Sequence, residues 1–154
     1  MDEQRGSITH LPQRREFVMV DQVLTHGEAD AVVQFIVRPD NLLLDDGQLT
    51  AAGIIENMAQ SCASTMRCIS ANNEALQGLQ HDAMSRIWTI GDIKQVKILR
   101  YPRCNEVLDT HVRIVLNMYP LMMTAVETRI GDEIVATARI TLAMTAQEAN
   151  SLST

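Results

Sequence analysis

The stretch DDGQLTAAGIIENMAQSCAS, residues 45–64, decides the fold class of this chain. From about Thr50 to about Ser70, apolar residues recur at i, i+3, i+4, i+7 and i+11, the spacing of one face of an α-helix. They are Ile55, Met58, Ala59, Cys62 and Met66. Many other positions hold alanine, glycine or serine, so strands can approach the helix closely on several sides. The stretch predicts a central helix wrapped by a sheet.

Segments rich in β-branched residues flank this helix. Two precede it, at 15–24 (REFVMVDQVL) and 29–37 (ADAVVQFIV). Four follow a polar linker at 71–86, and they lie at 87–99, 105–117, 119–130 and 134–144. The strand at 105–117 alternates, with Leu108, Thr110, Val112, Ile114 and Leu116 on one side. The order predicts an α+β protein, a curved antiparallel sheet around a long central helix, as one domain over 1–154 with a core at about 11–145.

Composition narrows the function classes. A net charge of −6 with two lysines argues against a nucleic-acid surface. No run of about 18 apolar residues is present, so we expect no membrane span. The first ten residues are polar and lack a secretory signal, which indicates a cytoplasmic protein. Three cysteines without C-x-x-C spacing support neither a disulfide framework nor a zinc site, and we expect no metal and no cofactor.

A local basic cluster departs from the acidic average. It consists of Lys94, Lys97, Arg100 and Arg103 within ten residues. Such a cluster could dock an acidic partner, but the solvated face of a strand explains it as well and is the commoner case.

Three segments resemble the hotdog-fold 3-hydroxyacyl-[acyl carrier protein] dehydratases. LPQRREFVMVDQVL (11–24) is similar to their opening L-P-H-R-x-P-F-L-L-V-D. IIENMAQSCA (54–63) is similar to I-x-E-A-M-A-Q in their central helix, and IGDIKQVKILRYPRCNEVL (90–108) to a later strand motif. The resemblance implies a hotdog fold and removal of water from a 3-hydroxyacyl thioester in fatty-acid or polyketide-type biosynthesis. It also implies an acyl carrier protein or coenzyme A thioester as the partner.

The resemblance implies that Glu56 is the catalytic carboxylate. Gly53 would let a thioester approach the helix backbone, Gln60 would hold Glu56 or a water, and Asn57 is a further candidate polar group. The family's catalytic histidine is missing, since Asn41 and Leu42 occupy its place.

Gln13 also replaces the histidine of the opening motif, and His10 is the nearest substitute. Without the resemblance, Glu56 would be interpreted as a carboxylate stabilised near a helix N-terminus.

Three functions fit these features. The first is a dehydratase that uses Glu56. The second is a non-catalytic hotdog subunit that binds acyl chains or pairs with an active paralogue. The third, a thioesterase, is less favoured because no H-G-G loop is present. Because a hotdog sheet has an exposed edge, we expect at least a homodimer, or a hetero-oligomer with a paralogue, with the site at the subunit boundary.

Overall fold

The computed structural model describes residues 6–7, 17–72 and 86–146. Nine strands and one helix lie in these ranges: β1 Gly6–Ser7, β2 Gln22–His26, β3 Asp30–Ile36, β4 Leu44–Asp45, β5 Gln48–Leu49, α1 Ala51–Asn72, β6 Arg86–Ile98, β7 Val107–Met118, β8 Leu121–Ile130 and β9 Glu133–Ala146.

Seven strands form one antiparallel sheet in the order β1-β2-β3-β7-β8-β9-β6. Strands β2 and β3 form one hairpin, and β7, β8 and β9 pair consecutively. β7 pairs with β3 from before the helix, and β6, the strand that follows the helix, forms one edge. The short strands β4 and β5 form a separate hairpin. Its turn residues Asp46 and Gly47 have φ of 49° and 73°, the backbone that a two-residue hairpin turn requires.

The helix α1 packs against the inner face of the sheet, as the sequence predicts. Its apolar stripe joins the large core cluster through Ile54, Met58, Cys62 and Met66. Phe35, Leu108 and Ile140 from the sheet complete the contact, each at most 1% exposed. Burial of an aliphatic or aromatic side chain of this size contributes about 1.5–3 kcal/mol, so the helix is held mainly by this contact. The predicted α+β fold with a curved sheet around a central helix is confirmed.

The predicted strand at 15–24 is wrong in its first half. β2 begins at Gln22, and the backbone from Phe17 to Asp21 is not strand. Side-chain amides from α1 bind this segment: Gln60 bonds the N–H of Met19 and the carbonyl of Phe17. These side-chain bonds take the place of the strand-to-strand backbone hydrogen bonds that the β-branched sequence predicts.

Two smaller differences also have local causes. The predicted linker at 71–86 gives its first two residues to α1 and its last to β6, and residues 73–85 lie outside the described ranges. In β7, Leu108, Thr110 and Val112 face the core, but a register shift between Ile114 and Leu116 breaks the alternation. Leu116 is therefore 45% exposed instead of facing inward.

Candidate functional site

The candidate site begins with a pair of side chains on one face of α1. Glu56 and Gln60 are one helical turn apart, and Gln60 Nε2 donates to Glu56 Oε1 at 2.8 Å. Glu56 is half-buried, whereas Gln60 is 2% exposed. The carboxylate is therefore bonded to a buried amide through one oxygen and is itself partly exposed, so a ligand could meet it.

Gln60 uses its whole side chain to fix this arrangement. Its Oε1 accepts the N–H of Met19 at 2.7 Å, and its Nε2 donates to Phe17 O at 2.7 Å as well as to Glu56. A side chain with three partners has a single orientation. Gln60 therefore fixes the Glu56 carboxylate and the segment before β2 at the same time, as the sequence analysis suggested for Glu56.

Asn57, another predicted site residue, lies in the core. Its Nδ2 donates to Met19 O at 2.7 Å, and its Oδ1 accepts the hydroxyl of Thr110 at 2.9 Å. Thr110 in turn contacts the hydroxyl of Thr128 at 2.9 Å. Asn57 is 0% exposed, so the structure gives it a bridging position between α1, the Met19 segment and the sheet.

The N-terminus of α1 is capped from inside the chain. Thr50 Oγ1 accepts the N–H of Gly53 at 3.2 Å and donates to Leu43 O at 2.9 Å. Gly53 faces leucines: a Cβ there would lie 2.5 Å from Leu49 Cδ1 and 3.2 Å from Leu43 Cβ. The missing side chain of Gly53 makes room for the β4–β5 hairpin, and its N–H is already bonded. Ala52 is exposed, so the helix end itself faces solvent.

Asn41 adjoins this helix end. Its Oδ1 accepts the N–H of Leu43 at 2.8 Å, and its Nδ2 lies 3.2 Å from the sulfur of Met19. The sequence analysis noted Asn41 only as a residue in the place of the expected histidine. Its bond to Leu43, two residues further on, is a local Asx-type bond, whereas its contact with Met19 joins residues 22 apart, which no local pattern could have shown.

Histidines do not approach Glu56 in the described ranges. His10, the suggested substitute, lies outside them, as does His81. His26, in β2, and His111, in β7, are both exposed, and His111 lines a cavity on the outer face of the sheet, opposite α1. Within the residues described, no group of three His, Cys, Asp or Glu side chains is arranged to hold a metal ion.

Two cavities among the described residues lie away from Glu56. One of about 660 Å³ crosses the outer face of the sheet, between Arg113, Glu127 and Arg139. Another of about 400 Å³ lies beside the segment that joins β6 to β7, at Tyr101 and Arg103.

Other candidate groups have structural surroundings. Burial raises the pKa of the Cys62 thiol to about 12, so this cysteine behaves as a small core residue. In the basic cluster, Arg100 forms ion pairs with Glu106 and Glu133 at 2.9 and 3.0 Å. Two carboxylates therefore neutralise Arg100, one of the four cations of the basic cluster. Among the residues that the structure describes, no helix has the length and apolarity that crossing a bilayer requires.

The architecture is similar to that of several solved structures. A chain of the dehydratase heterocomplex ApeI:P from Xenorhabdus doucetiae superposes with a TM-score of 0.74 at 18% identity, over 90% of each chain. The protein smu.793 from Streptococcus mutans, bound to acetyl CoA, superposes with a TM-score of 0.62 at 16% identity, over 90% of this chain and 98% of that one. At these identities the likeness shows the fold.

A similarity in sequence accompanies the shared fold. Residues 7–80 match the family described as ApeP-like, ApeP dehydratase. The chain has the hotdog fold, and its first half resembles the ApeP-like dehydratases. No curated relative matches its sequence. The matched residues include Glu56 and Gln60, so the half of this hotdog protein that resembles dehydratases is the half that carries the acid–amide pair.

A hotdog thioesterase has the same fold as well. A hypothetical thioesterase from Streptococcus pneumoniae, in complex with coenzyme A, superposes with a TM-score of 0.62 at 12% identity, over 81% of this chain and 88% of that one. The fold of the hotdog protein is thus shared by dehydratases and thioesterases, and the side chains at the site must distinguish the two chemistries.

Proposed function

We propose that this protein removes water from a 3-hydroxyacyl thioester carried on an acyl carrier protein or on coenzyme A. The observation that supports the proposal most directly is the Glu56 carboxylate, half-buried on α1 and fixed by Gln60 at 2.8 Å. A partly exposed carboxylate that a buried amide holds in position is suited to proton transfer. A cytoplasmic location belongs to this proposal.

A single carboxylate can balance the elimination. Glu56 takes a proton from C2 of the substrate, and the electrons of the broken C–H bond move toward the thioester carbonyl. The C3–O bond then breaks as Glu56 returns the proton to the departing hydroxyl, so that water leaves and a C2–C3 double bond forms. The carboxylate is regenerated, and no oxidant or other co-reactant is needed.

The developing charge on the thioester oxygen needs hydrogen-bond donors. The N-terminus of α1 offers the positive end of the helix dipole, and Ala52 in its first turn is exposed. A thioester placed there would have its carbonyl near the helix end and its C2 and C3 atoms toward Glu56, one turn further along the helix.

A second subunit would complete this site. The stripe of α1 that carries Glu56 is only partly covered in one protomer, since Ala52 and Arg67 are exposed and Ala63 is half-buried. The edge strand β6 has no neighbour on its outer side among the described strands. Pairing through this edge would extend the sheet and place a second chain beside the open stripe, which favours a homodimer or a pair with a paralogue.

A second candidate function is that of a non-catalytic subunit in such a pair. The observation that favours it is the absence of a histidine near Glu56 in the described ranges. A related dehydratase with this fold is a heterocomplex. In this case the fixed Glu56 would serve an active partner chain or the binding of an acyl group.

The test is an assay of the purified protein with 3-hydroxyacyl thioesters of carrier protein and of coenzyme A. We expect an enoyl product, and we expect Glu56→Gln to lower its rate by about 10²–10⁴-fold, the usual contribution of a general acid–base. Glu28→Gln, at an exposed turn, is the matched control and should leave the rate unchanged.

Other outcomes identify the alternatives. Release of free thiol without enoyl product would point to a thioesterase. Inactivity of the isolated chain, with activity restored by a paralogous hotdog chain, would favour the second candidate. A single-protomer mass in light scattering at micromolar concentration would contradict the proposed subunit pairing.

A further inference from the structure

We propose that the side-chain amide of Asn41 is a substrate-binding group that donates a hydrogen bond to the thioester carbonyl. This inference rests on the proposed function for the identity of the ligand. Asn41 cannot accept a proton from carbon. Its amide would stabilise the negative charge on the carbonyl oxygen, while Glu56 transfers the proton.

The first step is the orientation of the amide. Asn41 Oδ1 accepts the N–H of Leu43 at 2.8 Å, and a backbone bond from the N–H of Asn41 to Arg38 O at 3.1 Å fixes the loop on the other side. Because the oxygen of the amide is engaged, its NH₂ group points in a defined direction. A donor fixed in this way binds an acceptor without a further loss of side-chain freedom.

The Nδ2 donor of Asn41 has a weak hydrogen-bond acceptor as its partner. Asn41 Nδ2 is 3.2 Å from the thioether sulfur of Met19. A thioether is a weak hydrogen-bond acceptor, whereas a thioester carbonyl that gains negative charge is a strong one. Exchange of the sulfur for such an oxygen would therefore strengthen the interaction. Asn41 is half-buried, so a ligand can reach it.

The third step is position relative to the carboxylate and the helix end. Met19, which Asn41 contacts, bonds through its N–H to Gln60, and Gln60 bonds Glu56. On its other side Asn41 holds Leu43, whose carbonyl accepts both the N–H and the hydroxyl of Thr50, the cap of α1. Asn41 thus lies between the residues that support Glu56 and the residues that cap the helix.

These contacts give the Asn41 amide a role at the place where the resembled family has its catalytic histidine. The asparagine side chain is neither an acid nor a base at neutral pH, so a site with Asn41 in this place relies on Glu56 for proton transfer. Its N–H can still stabilise an enolate oxygen, together with the positive end of the α1 dipole.

The test measures binding of a thioester that cannot undergo dehydration. Butyryl-pantetheine, a saturated thioester that can neither lose nor add water, is titrated into ¹⁵N-labelled protein, and the side-chain amide signal of Asn41, assigned from its loss in Asn41→Asp, is followed by NMR. Asn41→Asp is the informative variant, since its carboxylate keeps the acceptor for the N–H of Leu43 but removes the donor. Asn117→Ala, at an exposed position of β7, is the control.

We expect the Asn41 amide signal to shift and Asn41→Asp to raise the Kd at least tenfold, with the Kd of Asn117→Ala unchanged. Equal Kd values for Asn41→Asp and the wild-type protein would overturn the inference, even if the wild-type protein dehydrates its substrate. A failure of the wild-type protein to bind the thioester would also overturn it. Asn41-dependent binding without dehydration would instead reject the proposed reaction and retain the binding role of Asn41.

Discussion

The replacement Gln60→Met tests the arrangement on which the site depends. Methionine has nearly the volume of glutamine, so the substitution removes the hydrogen bonds of Gln60 and leaves little cavity behind. The N–H of Met19 would lose its acceptor in a buried position, which costs about 1–3 kcal/mol. The carbonyl of Phe17 and the Glu56 carboxylate are less buried and can turn to water, so their bonds add about 1 kcal/mol together.

The free energy of unfolding should therefore fall by about 2–4 kcal/mol. With a urea slope of about 2 kcal/mol/M, typical for a chain of this size, the unfolding midpoint should move down by about 1–2 M. The measurement is urea unfolding at fixed protein concentration, because subunit pairing makes stability depend on concentration. An unchanged slope would show that the variant keeps a compact native state.

Gln22→Met provides the matched control. Gln22 is half-buried on β2, and its described side-chain bond is the one it donates to Gln34 at 3.0 Å. Its replacement should cost less than about 1 kcal/mol. A loss at Gln60 no larger than that at Gln22 would refute the conclusion that Gln60 fixes the Met19 segment and the Glu56 carboxylate.

Two further predictions concern titratable groups. In a Cys68→Ser, Cys104→Ser background, Cys62 should resist a thiol reagent at pH 8 until the protein unfolds, because burial raises the pKa of this thiol to about 12; rapid labelling of the native protein would disagree. The hydrogen bond from Arg100 holds the pKa of the Glu106 carboxyl below its usual range. The stability that Glu106 contributes should thus be present above about pH 4.3 and be lost as the pH falls through the folded pKa. Glu106→Gln should therefore reduce the fall in unfolding free energy at acid pH. An unaltered acid limb of the stability-versus-pH curve would count against the ion pair.

The regular elements of this protein could be predicted because their signals are periodic and local. The apolar stripe from Ile55 to Met66 lies on one side of a helix, and the predicted helix at 50–70 matches α1 at Ala51–Asn72. The four strands after the helix match β6 to β9 within a few residues. The prediction failed at 15–24, where β-branched residues favour a strand but side chains of α1 supply the bonding partners.

The site could be predicted only in part. The resemblance pointed to Glu56 and Gln60, and the structure places them in contact. Asn57 was a further candidate polar group of the helix, and the structure buries it between Met19 and Thr110. No pattern in the sequence distinguishes a polar helix residue that faces a ligand from one that faces a strand.

The sequence by itself determined the helix, the succession of the long strands along the chain and the acid on the helix, since these follow from side-chain periodicity and residue type along a short stretch of chain. The tertiary structure decided what each polar side chain does. Gln60 meets Met19 across 41 positions, and Asn57 meets Thr110 across 53. Hydrogen bonds between such distant residues exist only after the sheet has closed around the helix, and they show which amides hold the core.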